Sequence, residues 1–187
     1  DAGLPNIAIS PVVGRFLSLL TAMTPGRLAV EIGTLGGYSA AWITRGLADD
    51  GRLMSIEMDP GHADFAEAQL TNLGLQHRVE ILRGSALDVL PDLVSEIGPA
   101  SIDAAFLDGD KREYPDYWRV LRPAISPGGL LIADNILGTG SWWIDDEQSP
   151  ERQGVDTLSR MLASDDEFDA VALPLREGLL VARRRVS

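Results

Sequence analysis

Cysteine is absent from this 187-residue chain, and histidine occurs only twice. The first absence removes a disulfide framework, a thiolate nucleophile and any thiolate metal site. The second disfavours a zinc centre, since His62 and His77 fall on a helix and a loop and read as surface residues. Basic residues are outnumbered: 16 Lys and Arg against 28 Asp and Glu leave a net charge of −12. Such a balance argues against an electrostatic nucleic-acid footprint. The run Arg183-Arg184-Arg185 reads as a solvated strand end. No apolar stretch reaches the ~18 residues of a membrane span and no signal peptide is visible. Neither nucleic acid nor membrane is expected as a partner, and a cytoplasmic location is expected.

What is present is a chain 45% hydrophobic, enough for one domain over residues 1–187 with a substantial core. An N-terminal segment ahead of Asp1 is expected to be missing. Strand and helix signals alternate: strands at Leu28, Arg52–Glu57, Val79–Arg83, Ile102–Asp108 and Leu130–Asp134, helices at Ser39–Ala48, His62–Leu73, Leu87–Ile97 and Tyr114–Leu121. An irregular stretch rich in Gly, Ser and Trp follows, then a helix over Val155–Ala163 and strands over Phe168–Leu173 and Leu179–Arg183. Strict alternation closed by a hairpin predicts an α/β fold, a doubly wound, mostly parallel sheet with helices on both faces and an antiparallel edge. Ligands of such sheets sit beyond the carboxyl ends of the strands.

At the first of those ends lies Glu31-Ile32-Gly33-Thr34-Leu35-Gly36-Gly37-Tyr38-Ser39. Glycines between strand and helix let backbone approach a ligand, and the helix N-terminus offers free N–H groups. The spacing Glu-x-Gly-x-x-Gly-Gly differs from the Gly-x-Gly-x-x-Gly that seats a pyrophosphate. Glu57 closes the second strand about twenty residues on, where a carboxylate can accept hydrogen bonds from both ribose hydroxyls. Gly84-Ser85-Ala86 would edge an adenine with small groups.

Asp108, Asp134 and Asn135 form a sharper constellation: two carboxylates and an amide oxygen at adjacent strand ends, an all-oxygen set of the kind Mg²⁺ accepts. Lys111 projects over the same rim. A divalent cation there disfavours its ammonium form and makes the amine a general base.

The glycine turn resembles the first motif of S-adenosylmethionine-dependent methyltransferases. Together with three further blocks it resembles the cation-dependent O-methyltransferases, the catechol and caffeoyl-CoA type. Those blocks are Gly14–Leu20, Phe106-Leu107-Asp108-Gly109-Asp110-Lys111 with Tyr114 and Tyr117, and Gly128–Leu137. The resemblance runs from about Ile7 to Arg183. It implies a Rossmann-like, seven-stranded sheet with the last strand antiparallel, and a homodimer. It implies S-adenosylmethionine held by Ile9, Glu31, Gly33, Thr34, Ser39, Glu57, Ala86 and Asp108. It implies Mg²⁺, Mn²⁺ or Ca²⁺ on Asp108, Asp134 and Asn135, and Lys111 deprotonating a hydroxyl of an aromatic vicinal diol. Gly138-Thr139-Gly140 departs from the bulkier group usual after the second metal block, and Trp142 and Trp143 are equally candidates for a substrate wall or for packing. Two alternatives stand: a metal-independent methyltransferase, and an Asp-based phosphatase suggested by Asp108-Gly109-Asp110.

Overall fold

The computed structural model describes residues 4–5, 7–139, 142–143 and 146–186, with Thr139, Trp142 and Trp143 in backbone alone. The elements in order are α1 (Pro11–Ala22), β1 (Leu28–Ile32), α2 (Tyr38–Gly46), β2 (Arg52–Glu57), α3 (Pro60–Asn72), β3 (Val79–Arg83), α4 (Ala86–Ile97) and β4 (Ile102–Leu107). They continue with α5 (Tyr114–Leu121), β5 (Ile125–Asp134), β6 (Gly138–Thr139), β7 (Trp142–Trp143), α6 (Pro150–Ala163), β8 (Phe168–Leu173) and β9 (Leu179–Arg184).

Seven strands form one sheet in the order β3-β2-β1-β4-β5-β9-β8. The first five are parallel to one another, and β9 runs antiparallel to both β5 and β8. The antiparallel strand is therefore one place in from the edge, because β8 returns outside it. The strand order reverses at β1, whose neighbours are β2 and β4, and a crevice opens at such a reversal. Register aligns the carboxyl ends: Ile32 pairs with Leu107, and Leu107 with Ala133. Gly33, Asp108 and Asp134 thus emerge on one level.

The sheet is a two-sided core. Every residue of β4 is buried, as befits a central parallel strand; its one polar side chain, Asp103, accepts from the Arg27 amide and the Ser126 hydroxyl. One face packs Trp118, Leu121 and Leu158 from α5 and α6, the other Leu17 and Ile43 from α1 and α2. Close approach of α1 to α2 depends on Gly14, where a β-carbon would fall 2.4 Å from the Trp42 ring.

Two helix starts differ from the sequence reading through a cap, and one strand start through a register shift. The Asp59 carboxylate accepts from the Gly61 and His62 amides, starting α3 at Pro60 rather than His62. Ser149 Oγ accepts from the Arg152 amide, starting α6 at Pro150 rather than Val155. Strand β5 begins at Ile125 instead of Leu130, absorbing Gly128 and Gly129 through a register shift against β4. The stretch read as irregular contains the short antiparallel ribbon β6–β7. The side chains of Trp142 and Trp143 lie outside the described residues. Of the basic run, Arg184 pairs with Glu167 and Arg185 with Asp169, so it ties β9 to the segment before and within β8. No helix among the described residues is long and apolar enough to cross a membrane.

Candidate active site

Beyond β1 the chain makes its glycine turn against β4. The Gly33 φ is +98°, and a β-carbon there would sit 2.7 Å from the Asp108 carbonyl oxygen. Only glycine lets the two strand ends touch. Gly37, at φ +78°, precedes the first turn of α2. Between them Leu35 also takes a left-handed φ of +49°, and its amide donates to Glu57 Oε2 at 2.8 Å. The second oxygen of Glu57 accepts from the Asp59 amide at 2.8 Å and lies 3.8 Å from His62 Nδ1. Glu57 thereby fixes the turn, and its carboxylate edge faces the cleft. Asp59, an acid of the same type two residues on, is spent on capping α3.

Glu31 is fully buried beneath that turn. Ser55 Oγ donates to Glu31 Oε2 at 2.5 Å, and the Thr34 and Ser55 hydroxyls are 2.6 Å apart. Glu31 Oε1 has no partner among the described residues. Burial raises the carboxyl from its ordinary range to about 7, against the lowering effect of the Ser39 and Ser55 hydroxyls and with help from the Asp108 charge. Glu31 is absent from the cleft wall. Its reach to a ligand runs through Ser55 and Thr34.

The acidic rim forms where β4 and β5 end. Asp108 Oδ1 accepts from Lys111 Nζ at 2.8 Å, and the same ammonium lies 5.4 Å from the centre of the Tyr114 ring. The Tyr114 hydroxyl lies 2.8 Å from the Leu107 carbonyl and 3.1 Å from the Asp134 carbonyl, pinning the two strand ends together. Asn135 follows at φ +58°, a left-handed conformation that Asn tolerates. Burial pushes Asp134 up to about 7, with Asp108 adding to the shift. Burial likewise raises Asp108, opposed by Lys111. Asp134 Oδ1 is buried without a donor among the described residues. Among the described residues no group of three or more His, Cys, Asp and Glu side chains stands ready for a metal. A cation here would be held by the two carboxylates and the Asn135 amide.

A cleft of about 1260 Å³ runs along these strand ends. Its walls include Ile9, Gly33, Thr34, Ser39, Glu57 and Ala86 at one end, and Asp108, Lys111, Asp134 and Asn135 at the other. All the residues expected from the sequence to hold cofactor or cation or to act as base, except Glu31, therefore line one cavity. At this volume it accommodates two small ligands side by side. Several lining residues escaped the sequence reading. His62 is a wall residue beside Glu57 and not a plain surface group, and Arg176 and Glu177 enter from the β8–β9 hairpin. Ser55 was signalled only by being the polar residue within the apolar run of β2. Asp110, left without a role in the sequence, accepts from the Arg112 amide and caps the 3-10 turn Lys111–Glu113 that carries Lys111.

The family model described as O-methyltransferase matches residues 1–185. The chain is 37% identical to a catechol O-methyltransferase of Niastella koreensis over 94% of its length and 79% of the relative's. It is 35% identical to a catechol O-methyltransferase of Mycobacterium tuberculosis over 92% and 76%. Among solved structures, an O-methyltransferase from Bacillus cereus in complex with S-adenosylhomocysteine superposes with a TM-score of 0.90 at 33% identity, covering 98% of this chain and 86% of that one. A Streptomyces achromogenes O-methyltransferase of tomaymycin synthesis, in complex with S-adenosylmethionine, gives 0.87 at 31%, covering 97% and 83%. These likenesses rule out the phosphatase alternative, and with the cleft at the strand-order reversal they lead to one assignment. The chain belongs to the O-methyltransferase family and is an S-adenosylmethionine-dependent enzyme.

Proposed function

We propose that the enzyme transfers the methyl group to one hydroxyl of a catechol-like or caffeoyl-type aromatic diol, with a divalent cation, Mg²⁺, Mn²⁺ or Ca²⁺, on Asp108, Asp134 and Asn135. The observation that carries this reading is the buried, donorless Asp134 Oδ1 beside a second desolvated carboxylate. A buried anionic oxygen without a partner is costly, and a hard cation is the partner that satisfies it. The names of the N. koreensis and M. tuberculosis relatives support the acceptor class.

The cofactor is assigned to the other end of the cleft. Glu57 accepts the ribose hydroxyls while its own position is held by the Leu35 and Asp59 amides. Gly33, Thr34, Ser39 and the backbone at Ile9 surround the methionine end, with Glu31 acting from below through Ser55. Ala86, at the start of α4, borders the adenine, and Asp108 stands between cofactor and acceptor.

A cation held by Asp108, Asp134 and Asn135 would supply Lewis acidity that lowers the pKa of a diol hydroxyl. Lys111 takes that proton at Nζ. Asp108 holds Lys111 Nζ at 2.8 Å, so the lysine is positioned by a residue that would also hold the cation. The aryl oxygen then attacks the sulfonium methyl carbon, the carbon–sulfur bond breaks toward sulfur, and S-adenosylhomocysteine leaves. Holding donor and acceptor side by side in one cleft supplies much of the acceleration. The reading includes a cytoplasmic homodimer; the exposed Val12, Leu19 and Met23 along the outer face of α1 support a second copy docking there.

The test is methyl transfer from labelled S-adenosylmethionine to catechols and caffeoyl esters, with Mg²⁺ and with excess EDTA. Turnover abolished by EDTA and restored by Mg²⁺ is expected. Turnover that survives EDTA overturns the cation and favours the metal-independent reading.

A further inference from the structure

Arg176 occupies the tip of the β8–β9 hairpin in a left-handed conformation, φ +56°. The tip is rigidly held against the residues that follow Asn135. Leu137 N donates to the Glu177 carbonyl at 2.8 Å and Ile136 N to the Gly178 carbonyl at 3.2 Å. A β-carbon at Gly178 would fall 2.5 Å from Leu137, so the two segments are in direct contact. Arg176 thereby lines the same cleft as Asp134 and Asn135.

Among the described residues its guanidinium makes a single long ion pair, with the neighbouring Glu177 at 3.5 Å, and no hydrogen bond. The side chain is 58% exposed. Lys111, the other basic side chain on the acidic rim, is already engaged by Asp108. The surroundings are strongly acidic: Glu57, Asp108, Asp110, Glu113, Asp134 and Glu177 all line the cleft. An anionic acceptor entering such a field is repelled unless a fixed cation meets it. A non-glycine residue in the left-handed region carries strain, and strain retained on a cleft wall points to use.

We infer that Arg176 is a specificity-determining residue that pairs with a carboxylate on the acceptor's side chain, so that the preferred substrate is an anionic aromatic diol. The guanidinium fork matches a carboxylate with two parallel hydrogen bonds, which a neutral or cationic acceptor cannot make. This inference rests on the diol reading above.

The test uses three acceptors of equal side-chain length: 3,4-dihydroxyphenylacetate (anionic), 3,4-dihydroxyphenylethanol (neutral) and dopamine (cationic). The wild type is expected to favour the anionic over the neutral acceptor in kcat/KM, chiefly through KM. In Arg176→Gly that ratio is expected to fall about tenfold, the worth of one charge-assisted pair. Arg176→Lys is expected to retain part of it. Arg176→Gly should also hold or raise Tm, since glycine relieves the left-handed strain. A purely structural arginine would instead lower Tm and leave the ratio intact, and that result overturns the inference. So does a wild-type preference for dopamine, which would mean that the acidic wall decides selectivity. If none of the three acceptors turns over with Mg²⁺ present, the diol reading fails and takes the inference with it; turnover of all three without an anionic preference defeats the inference alone.

Discussion

Lys111 Nζ lies 2.8 Å from Asp108 Oδ1, so the proposed base and a proposed cation ligand hold each other before any ligand enters. Their distance is set by a tight 3-10 turn over Lys111–Glu113, capped by Asp110. Under the proposed function, one carboxylate would link proton removal to cation binding.

Replacing Lys111 with Ala should lower kcat by roughly 10²- to 10⁴-fold, the usual worth of a positioned general base. S-adenosylmethionine affinity, measured by calorimetry, should change little, because Lys111 is not among the proposed cofactor contacts. Weakened cofactor binding with normal turnover would contradict the assignment.

Asp134→Ala should raise the Mg²⁺ concentration for half-maximal activity at least tenfold. In the wild type that concentration should fall as pH rises through about 7, since the buried carboxyl holds its proton below that value. A flat dependence of cation affinity on pH between 6 and 8 would speak against Asp134 as ligand, as would an unchanged Mg²⁺ requirement in the variant.

Glu31 provides a stability test. Its folded-state value of about 7 lies above the ordinary 4.5. Between those pH values the folded protein keeps a proton that the unfolded chain has released. Stability is therefore full at low pH, declines as pH rises toward about 7 and levels off above it, a loss of up to roughly 3 kcal/mol. Glu31→Gln should remove this slope while preserving the acceptor for Ser55. Denaturant titrations from pH 5 to 8 would decide, and parallel profiles for the two proteins would refute it.

Gly154 of α6 packs on the backbone that carries the base: a β-carbon there would fall 2.2 Å from the Lys111 carbonyl oxygen and 2.9 Å from Arg112 Cα. Gly154→Ala should destabilise by about 1–3 kcal/mol and also lower kcat, by displacing Lys111. The control is Gly46→Ala, whose β-carbon would meet the Ser18 carbonyl at 2.3 Å, away from the cleft wall. A similar Tm loss without the fall in kcat is expected there; equal kcat losses in the two variants would remove the positioning role.

Much of the fold was legible because periodicity and punctuation carry it. Strand β4 shows itself as an apolar run broken only by Asp103, and the spacing of α5 predicts the boundaries it has, Tyr114–Leu121. Errors gathered where a side-chain cap or a register shift set the boundary. Asp59 illustrates this: as a sequence it competes with Glu57 for the ribose, and only its bonds to the Gly61 and His62 amides remove it from contention.

By itself the sequence determined which chemistry is available. An all-oxygen rim, one lysine beside it, a glycine turn and no cysteine are properties of residue type and spacing, and local rules read them. Tertiary structure decided which of these groups meet and in what state. Glu31 was named as a ligand contact but sits under the floor, because strand alternation turned it inward against Ser55. The shifts of Asp108 and Asp134 arise from burial, which no spacing encodes. Arg176 joined the cleft only through a hairpin some forty residues beyond Asp134 in the chain, packed back on residues 136–137. Contacts of that kind depend on long-range pairing, which becomes visible only when the sheet is assembled.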